Sequence, residues 1–238
     1  MPRTAGIVVI GDEILSGKFA DENAAFLIRE LRGLGVDLRR ITVIPDELDE
    51  IADTVPWHSA RFDHVFTSGG VGPTHDDVTI AGIARGFATG VVRHPELEAK
   101  VRAYWGAKLA DVPDGAELVY GVDRVWPVLA FRNVFILPGV PALFRRKFHD
   151  ISDRFRTEPV VLARVYVAAD EGAIAPSLDA VVAGFGDVKL GSYPRFDERE
   201  YKVLVTLEGR DAARVAAAQA DLVGRLGDAV IRIDDPRA

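Results

Sequence analysis

Thr67-Ser68-Gly69-Gly70-Val71-Gly72-Pro73-Thr74-His75-Asp76-Asp77-Val78-Thr79 is the stretch on which the fold turns. An apolar run precedes it from Val65, and helical spacing follows it. A strand that ends in a small hydroxyl residue and three glycines within four positions can bring backbone N–H groups close to an anion, because no side chain shields them. Ser68, Gly69, Gly70, Gly72, Pro73 and Thr74 are therefore candidate phosphate contacts. Asp76 and Asp77 close the loop and would repel a bare phosphate, so it also suits a metal ion or a proton transfer. Together these features point to chemistry on a phosphorylated small molecule.

Outward from the loop, residues 64–67 read as a short buried strand and residues 5–10 as a continuous apolar strand that ends in the turn Gly11-Asp12. Asp21 is a candidate N-cap for a helix whose stripe is Ala24, Leu27, Ile28, Leu31 and Leu34, stopped by Gly35. Residues 36–44 return to strand character and residues 48–60 to a helix. This β-α-β-α-β order requires crossover helices over a mostly parallel sheet, an α/β/α three-layer arrangement. In such sheets ligands bind beyond the carboxyl ends of the strands. Gly11, Asp46 and the Ser68 loop all follow strands, so three strand ends are expected on one rim.

Further on, helices are expected over 77–86 and 95–108, and a strand over 134–137 that ends in Pro138-Gly139-Val140-Pro141 before an amphipathic segment at 142–155. After residues 157–159 the texture changes. Segments 160–167, 176–183, 188–193, 201–207, 211–226 and 230–233 read as β-α-β-β-α-β, a split βαβ order. The expected organisation is a large α/β domain over 1–157 and a smaller α+β domain over 158–238.

Composition narrows the chemistry. The 238 residues are 48% apolar and 27% charged, which is the range of a globular chain. No apolar run approaches the roughly 20 residues of a membrane span, and the amino terminus proceeds straight into strand patterning, so a cytoplasmic protein is expected. With no cysteine, disulfides, thiolate metal sites and thiol nucleophiles are excluded. A net charge of −7 argues against nucleic acid as a partner, and Arg145, Arg146 and Lys147 read as a solvated helix face.

Asp46 follows a strand and precedes a helix, so it is either an N-cap or a functional carboxylate; Asp77 carries the same two readings. Carboxylates from neighbouring strand ends can share a divalent cation with ligand phosphates. Gly11, Asp12, Ser16 and Gly17 form a second polar turn, and Asn23 either orients a ligand or occupies the first turn of a helix. His75 can meet a phosphate or a metal, or stand exposed. There is no G-x-x-x-x-G-K-[ST] loop, and no strand is followed by G-x-G-x-x-G.

Three segments together resemble the molybdopterin-binding fold of molybdenum-cofactor biosynthesis proteins: residues 11–17 with Asp21-Glu22-Asn23, residues 68–79, and Leu137-Pro138-Gly139-Val140-Pro141. The second domain, with Gly191-Ser192-Tyr193-Pro194, is similar to the amino-terminal region of competence/damage-inducible protein A and to the molybdopterin-binding-like domain of FAD synthase. The resemblance implies roles for Asp46 and Asp77, as catalytic residues or metal ligands, and ligand phosphate at the glycine loop and at Pro138, Gly139 and Pro141. Molybdopterin adenylyltransferases typically carry arginine where this loop has His75 or Asp76, which weakens that activity here. The competence-protein and FAD-synthase branch implies instead a divalent-metal-dependent pyrophosphatase, with magnesium, manganese or cobalt, acting on ADP-ribose or FAD. The alternatives are a molybdopterin-binding step of cofactor assembly and a nucleotide or pterin sensor without turnover. The resemblance further implies a homo-oligomer, and a stand-alone version without the amidohydrolase or adenylyltransferase domain of the relatives.

Overall fold

Side chains alternate across β1 (Thr4–Ile10), so Ile7 and Val9 enter one cluster with Leu27, Phe144 and Phe148, while Val8 and Ile10 enter another with Ile51, Val55 and Ile83. A strand buried on both faces needs helices on both, which explains its unbroken apolar sequence. The computed structural model describes residues 3–101, 107–122 and 125–237. In it β1 lies inside a six-stranded sheet of order β2 (Asp37–Ile44), β1, β3 (His64–Ser68), β8 (Val134–Leu137), β7 (Val128–Phe131), β6 (Glu117–Val119). The pairings β2 to β1, β1 to β3 and β3 to β8 are parallel, and β7 and β6 complete the sheet antiparallel.

The turn after β1 holds the short helix α1 (Asp12–Leu15). Helices α2 (Glu22–Gly33) and α6 (Pro141–Ile151) pack on the Ile7 face, and α3 (Leu48–Ser59) and α4 (Thr79–Gly86) on the Val8 face. This is the mostly parallel α/β/α architecture that the alternation of elements implies. Asp21 caps α2 as expected, its carboxylate accepting from Asn23 N at 2.9 Å and Ala24 N at 3.0 Å. On the α2 face, Phe66, Phe144, Phe148 and Phe155 are fully buried. Burial of such a side chain is worth about 1.5–3 kcal/mol, so this aromatic cluster anchors the helices that lead to and from the rim.

Four strands have no counterpart in the sequence reading. Besides β6 and β7, these are β4 (Val91–Arg93) and β5 (Asp111–Pro113), which pair with each other as a two-stranded sheet. At three or four residues each they are too short to display a period. The helix expected over 95–108 begins as α5 (Pro95–Val101); residues 102–106 lie outside the described residues, and a 3₁₀ turn occupies Ala107–Ala110. The expected segment 142–155 divides into α6 and a 3₁₀ turn at Ser152–Phe155.

Contacts divide the chain into two units, Met1–Thr157 and Glu158–Ala238. The second comprises β9 (Val161–Val167), α7 (Glu171–Gly184), β10 (Lys189–Pro194), β11 (Val203–Gly209), α8 (Ala212–Leu226) and β12 (Val230–Arg237), with an antiparallel sheet of order β10-β11-β9-β12. Val161, Ala163, Val165 and Val167 alternate toward Ile174 and Leu178 of α7 and Val215 and Leu222 of α8. Helix α7 starts five residues before the expected 176, so Pro176 stands inside it.

Two histidines tie the stability of the first unit to pH. His58 Nδ1 meets Thr54 O at 2.9 Å and Nε2 meets Thr42 Oγ1 at 3.1 Å, and burial pushes its pKa below the usual 6.5. Burial does the same to His64, with the neighbouring Arg3 adding to it. The unfolded chain therefore binds protons near pH 6.5 that the folded chain refuses. The stability these groups contribute is complete above that pH and is lost as pH falls through their depressed folded values. Urea denaturation is expected to show a lower midpoint at pH 5.5 than at pH 7.5; equal midpoints would mean that neither ring is held neutral by the fold.

Candidate functional site

The parallel strands β1, β2, β3 and β8 end on one rim. The chain leaves β1 through α2 to β2 on one side, then crosses through α3 to β3 on the other, so the strand order reverses at the β1/β3 junction. A reversal of this kind leaves a crevice beyond the strand ends. Expectation placed β2 next to the glycine loop, but β1 lies between them. Periodicity reports which segments are strands and carries no information on their order.

Asp46 bridges that gap with its side chain. Its Oδ2 accepts from Asp12 N at 3.0 Å, and its Oδ1 lies 3.2 Å from the point where a Cβ on Gly70 would stand. One carboxylate thus meets both loops of the crevice. Its pKa is raised, first by loss of hydration and then by the charges of Glu13, Asp12 and Asp76, against the lowering effect of the Asp12 amide. Asp46 does not cap α3, whose N-cap is Glu47. Asp77 does not cap α4 either, since Val78 holds that position. It braces its own loop, accepting from Thr74 N at 2.8 Å and from the Thr74 hydroxyl. The loop charge that reaches Asp46 is that of Asp76. His75 stands almost fully exposed, 3.9 Å from Asp76.

The glycine loop is fixed from both faces of the sheet. From α2, Asn23 Nδ2 donates to Ser68 Oγ at 2.8 Å and to Gly139 O at 2.7 Å, joining the ends of β3 and β8. Because a carbonyl can only accept, Gly139 sets the amide orientation, and the buried Asn23 Oδ1 has no hydrogen-bond partner among the described residues. From α4, Thr79 Oγ1 donates to Gly69 O at 3.0 Å and Thr79 N to Gly70 O at 3.0 Å. Gly69 (φ +105°) and Gly70 (φ +62°) have no room for a side chain: a Cβ would overlap the Ile10 carbonyl at the first and the Thr79 hydroxyl at the second. Thr79 was not among the residues singled out from sequence, although a hydroxyl residue opening the helix after a glycine turn is a legible signal.

Burial sorts the expected ligand contacts. Gly11, Asn23, Ser68 and Gly69 are buried, and the amides of Gly11 and Gly69 are taken by Ile44 O and Leu137 O. These four build the frame of the rim. Asp12, Ser16, Gly17, Pro73, Thr74 and Gly139 are exposed, and Asp46, Gly70, Gly72, Asp77, Pro138 and Pro141 are half-buried, so these form its accessible surface. Of the basic cluster on α6, Arg145 and Arg146 are exposed as a solvated face, Arg145 pairing with Glu22 at 2.6 Å, whereas Lys147 is buried against Asp150 and Trp126 O.

Residues 6–157 match the family described as "Probable molybdopterin binding domain", and residues 159–235 match "FAD synthase, middle domain". The chain is 31% identical over 267 residues to a "Probable FAD synthase" of Caenorhabditis elegans, an alignment that covers 98% of this chain and 51% of that protein. It therefore spans about half the length of that relative. A protein of Archaeoglobus fulgidus is 36% identical over 222 residues, covering 89% of this chain and 93% of its own. The crystal structure of the protein CinA with unknown function from Thermoplasma acidophilum superposes with a TM-score of 0.59 at 28% identity, over 65% of this chain and 98% of that one. Among the described residues no helix is long and apolar enough to cross a membrane.

Proposed function

The chain belongs to the molybdopterin-binding domain family, and from that premise we propose that it is a divalent-metal-dependent pyrophosphatase cleaving an adenine dinucleotide or an ADP-sugar. The observation that carries this reading is the Asp46 carboxylate, which bridges the two loops of the crevice amid the charges of Asp12, Glu13 and Asp76. A diphosphate approaching so many carboxylates needs a cation to offset the repulsion.

The donor set fits a hard divalent ion. All the candidate ligands are oxygens, and among the described residues no group of three or more His, Asp or Glu side chains is placed to hold a metal by itself. Magnesium and manganese commonly bind this way, through one or two carboxylates, several waters and the phosphates of the substrate. Asp46 and Asp77 are the residues that would hold the ion. When bound, it supplies a charge that offsets the negative charge developing on the bridging oxygen.

The chain's own groups account for the rest. Gly70 and Gly72 present accessible loop backbone to the phosphates, and the base of the loop is held by Asn23 at Ser68 and by Thr79 at Gly69 and Gly70. Asp46, whose carboxylate stands between the two loops, accepts a proton from water as the water oxygen attacks phosphorus. The bond from phosphorus to the bridging oxygen breaks, releasing AMP and a second phosphate monoester.

Purified protein supplied with magnesium, manganese or cobalt is expected to release AMP from ADP-ribose or FAD, read by product chromatography. No cleavage across that panel would overturn the reading. The match of the first unit favours a second one, molybdopterin binding for cofactor assembly. Tight molybdopterin binding without any dinucleotide cleavage would establish it in place of the first.

A further inference from the structure

The rim is crowded with carboxylates, and the sequence reading of its loops offered only His75 to meet a phosphate. The structure brings one from a distant segment. Lys108, on the 3₁₀ turn Ala107–Ala110 before β5, donates from Nζ to the carbonyl of Thr74 at the crest of the glycine loop. Among the described residues that neutral carbonyl is the one acceptor its ammonium meets. An ammonium carries three donors, so two remain for a ligand. Lys100, by contrast, is shared among Tyr120, Val125 O and Glu96, and Lys147 is paired with Asp150.

Lys108 also lines a cleft with Gly72 and Asp77, walled by Val71, Ile80 and Leu129. The cleft volume of about 90 Å³ falls short of the roughly 150 Å³ in which a benzene ring is held. That volume does not enclose a purine. Asp111, a further carboxylate of this cleft, is already paired with Arg93 at 3.0 Å.

We propose that Lys108 is an anion-binding residue of this site, its ammonium contacting the diphosphate oxygens of the ligand beside the glycine loop. The proposal rests on the pyrophosphate reading only in that the ligand carries a diphosphate; it does not require hydrolysis.

Inorganic pyrophosphate is the probe, titrated calorimetrically into the full chain with magnesium at low and high salt. Lys108→Gln is expected to weaken binding by roughly tenfold and to flatten its salt dependence, while Lys108→Arg keeps most of the affinity. Melting temperatures of the ligand-free variants separate charge from scaffolding. The proposal is overturned if the wild type does not bind pyrophosphate, or if Lys108→Gln binds it within threefold of wild type. It is also overturned if Gln and Arg lose affinity equally with a common fall in melting temperature, the mark of a strut. Lys108-dependent binding without any dinucleotide cleavage would sink the hydrolytic reading and leave this one standing.

Discussion

Gly69→Ala is expected to lower the melting temperature of the first unit by roughly 10 °C and to abolish ligand binding at the rim. The φ of +105° is a conformation that costs an alanine about 1–3 kcal/mol. The added Cβ would also overlap the carbonyl oxygen of Ile10, which belongs to the central strand β1 and cannot swing away as a side chain could. Overpacking of this kind costs a further 1–3 kcal/mol or so. A total near 4 kcal/mol corresponds to roughly 10 °C for a domain of this size. Thermal unfolding followed by circular dichroism measures it. Gly33→Ala, at the end of α2 where a Cβ meets nothing within 4 Å, is the matched control and leaves the melting temperature essentially unchanged. Equal melting temperatures for wild type and Gly69→Ala would show that the loop is not packed on β1 as described.

Asp46→Asn is expected to cut turnover by about 10²–10⁴ while leaving the fold at neutral pH as stable as wild type or slightly more so. The amide keeps an oxygen to accept the Asp12 N–H and loses the group that holds the metal and accepts the proton. The stability result follows from the direction of the pKa shift. A carboxyl raised above its usual 3.8 ionises more readily in the unfolded chain, so the ionised form works against folding at neutral pH. Below pH 3.8 both states are protonated and that cost disappears, and with it any advantage of the variant. Solvent screening keeps the gain small, because the carboxylate is only half-buried. Melting curves at pH 7 and pH 3.5 alongside dinucleotide turnover check both halves. A large loss of stability at pH 7 would make Asp46 a structural residue.

The sheet was legible because its central strands are buried on both faces. Residues 5–10, 64–67 and 134–137 read as apolar runs for that reason, and each lies within a strand, β8 with the same bounds. Asp21 was legible as a cap because its hydrogen bonds reach only two and three residues ahead. Ser68 was read as a ligand contact and Asn23 as either that or a first-turn residue of a helix; Asn23 does occupy the first turn of α2, and both are interior groups tied to each other across 45 positions. A polar residue near a glycine loop looks the same in sequence whether it faces solvent or a strand end.

Sequence by itself determined the β-α alternation, the rim on which the loops gather, and the family, since all three depend on local periodicity and short motifs. Tertiary structure decided that β1 separates β2 from β3, that Asp46 reaches across it, and that Asp77 braces its own loop while Asp76 adds to the charges of Glu13 and Asp12 felt by Asp46. It also delivered Lys108 to Thr74 over 34 positions. These outcomes depend on strand order and on side-chain reach through space, and neither leaves a repeating pattern along the chain.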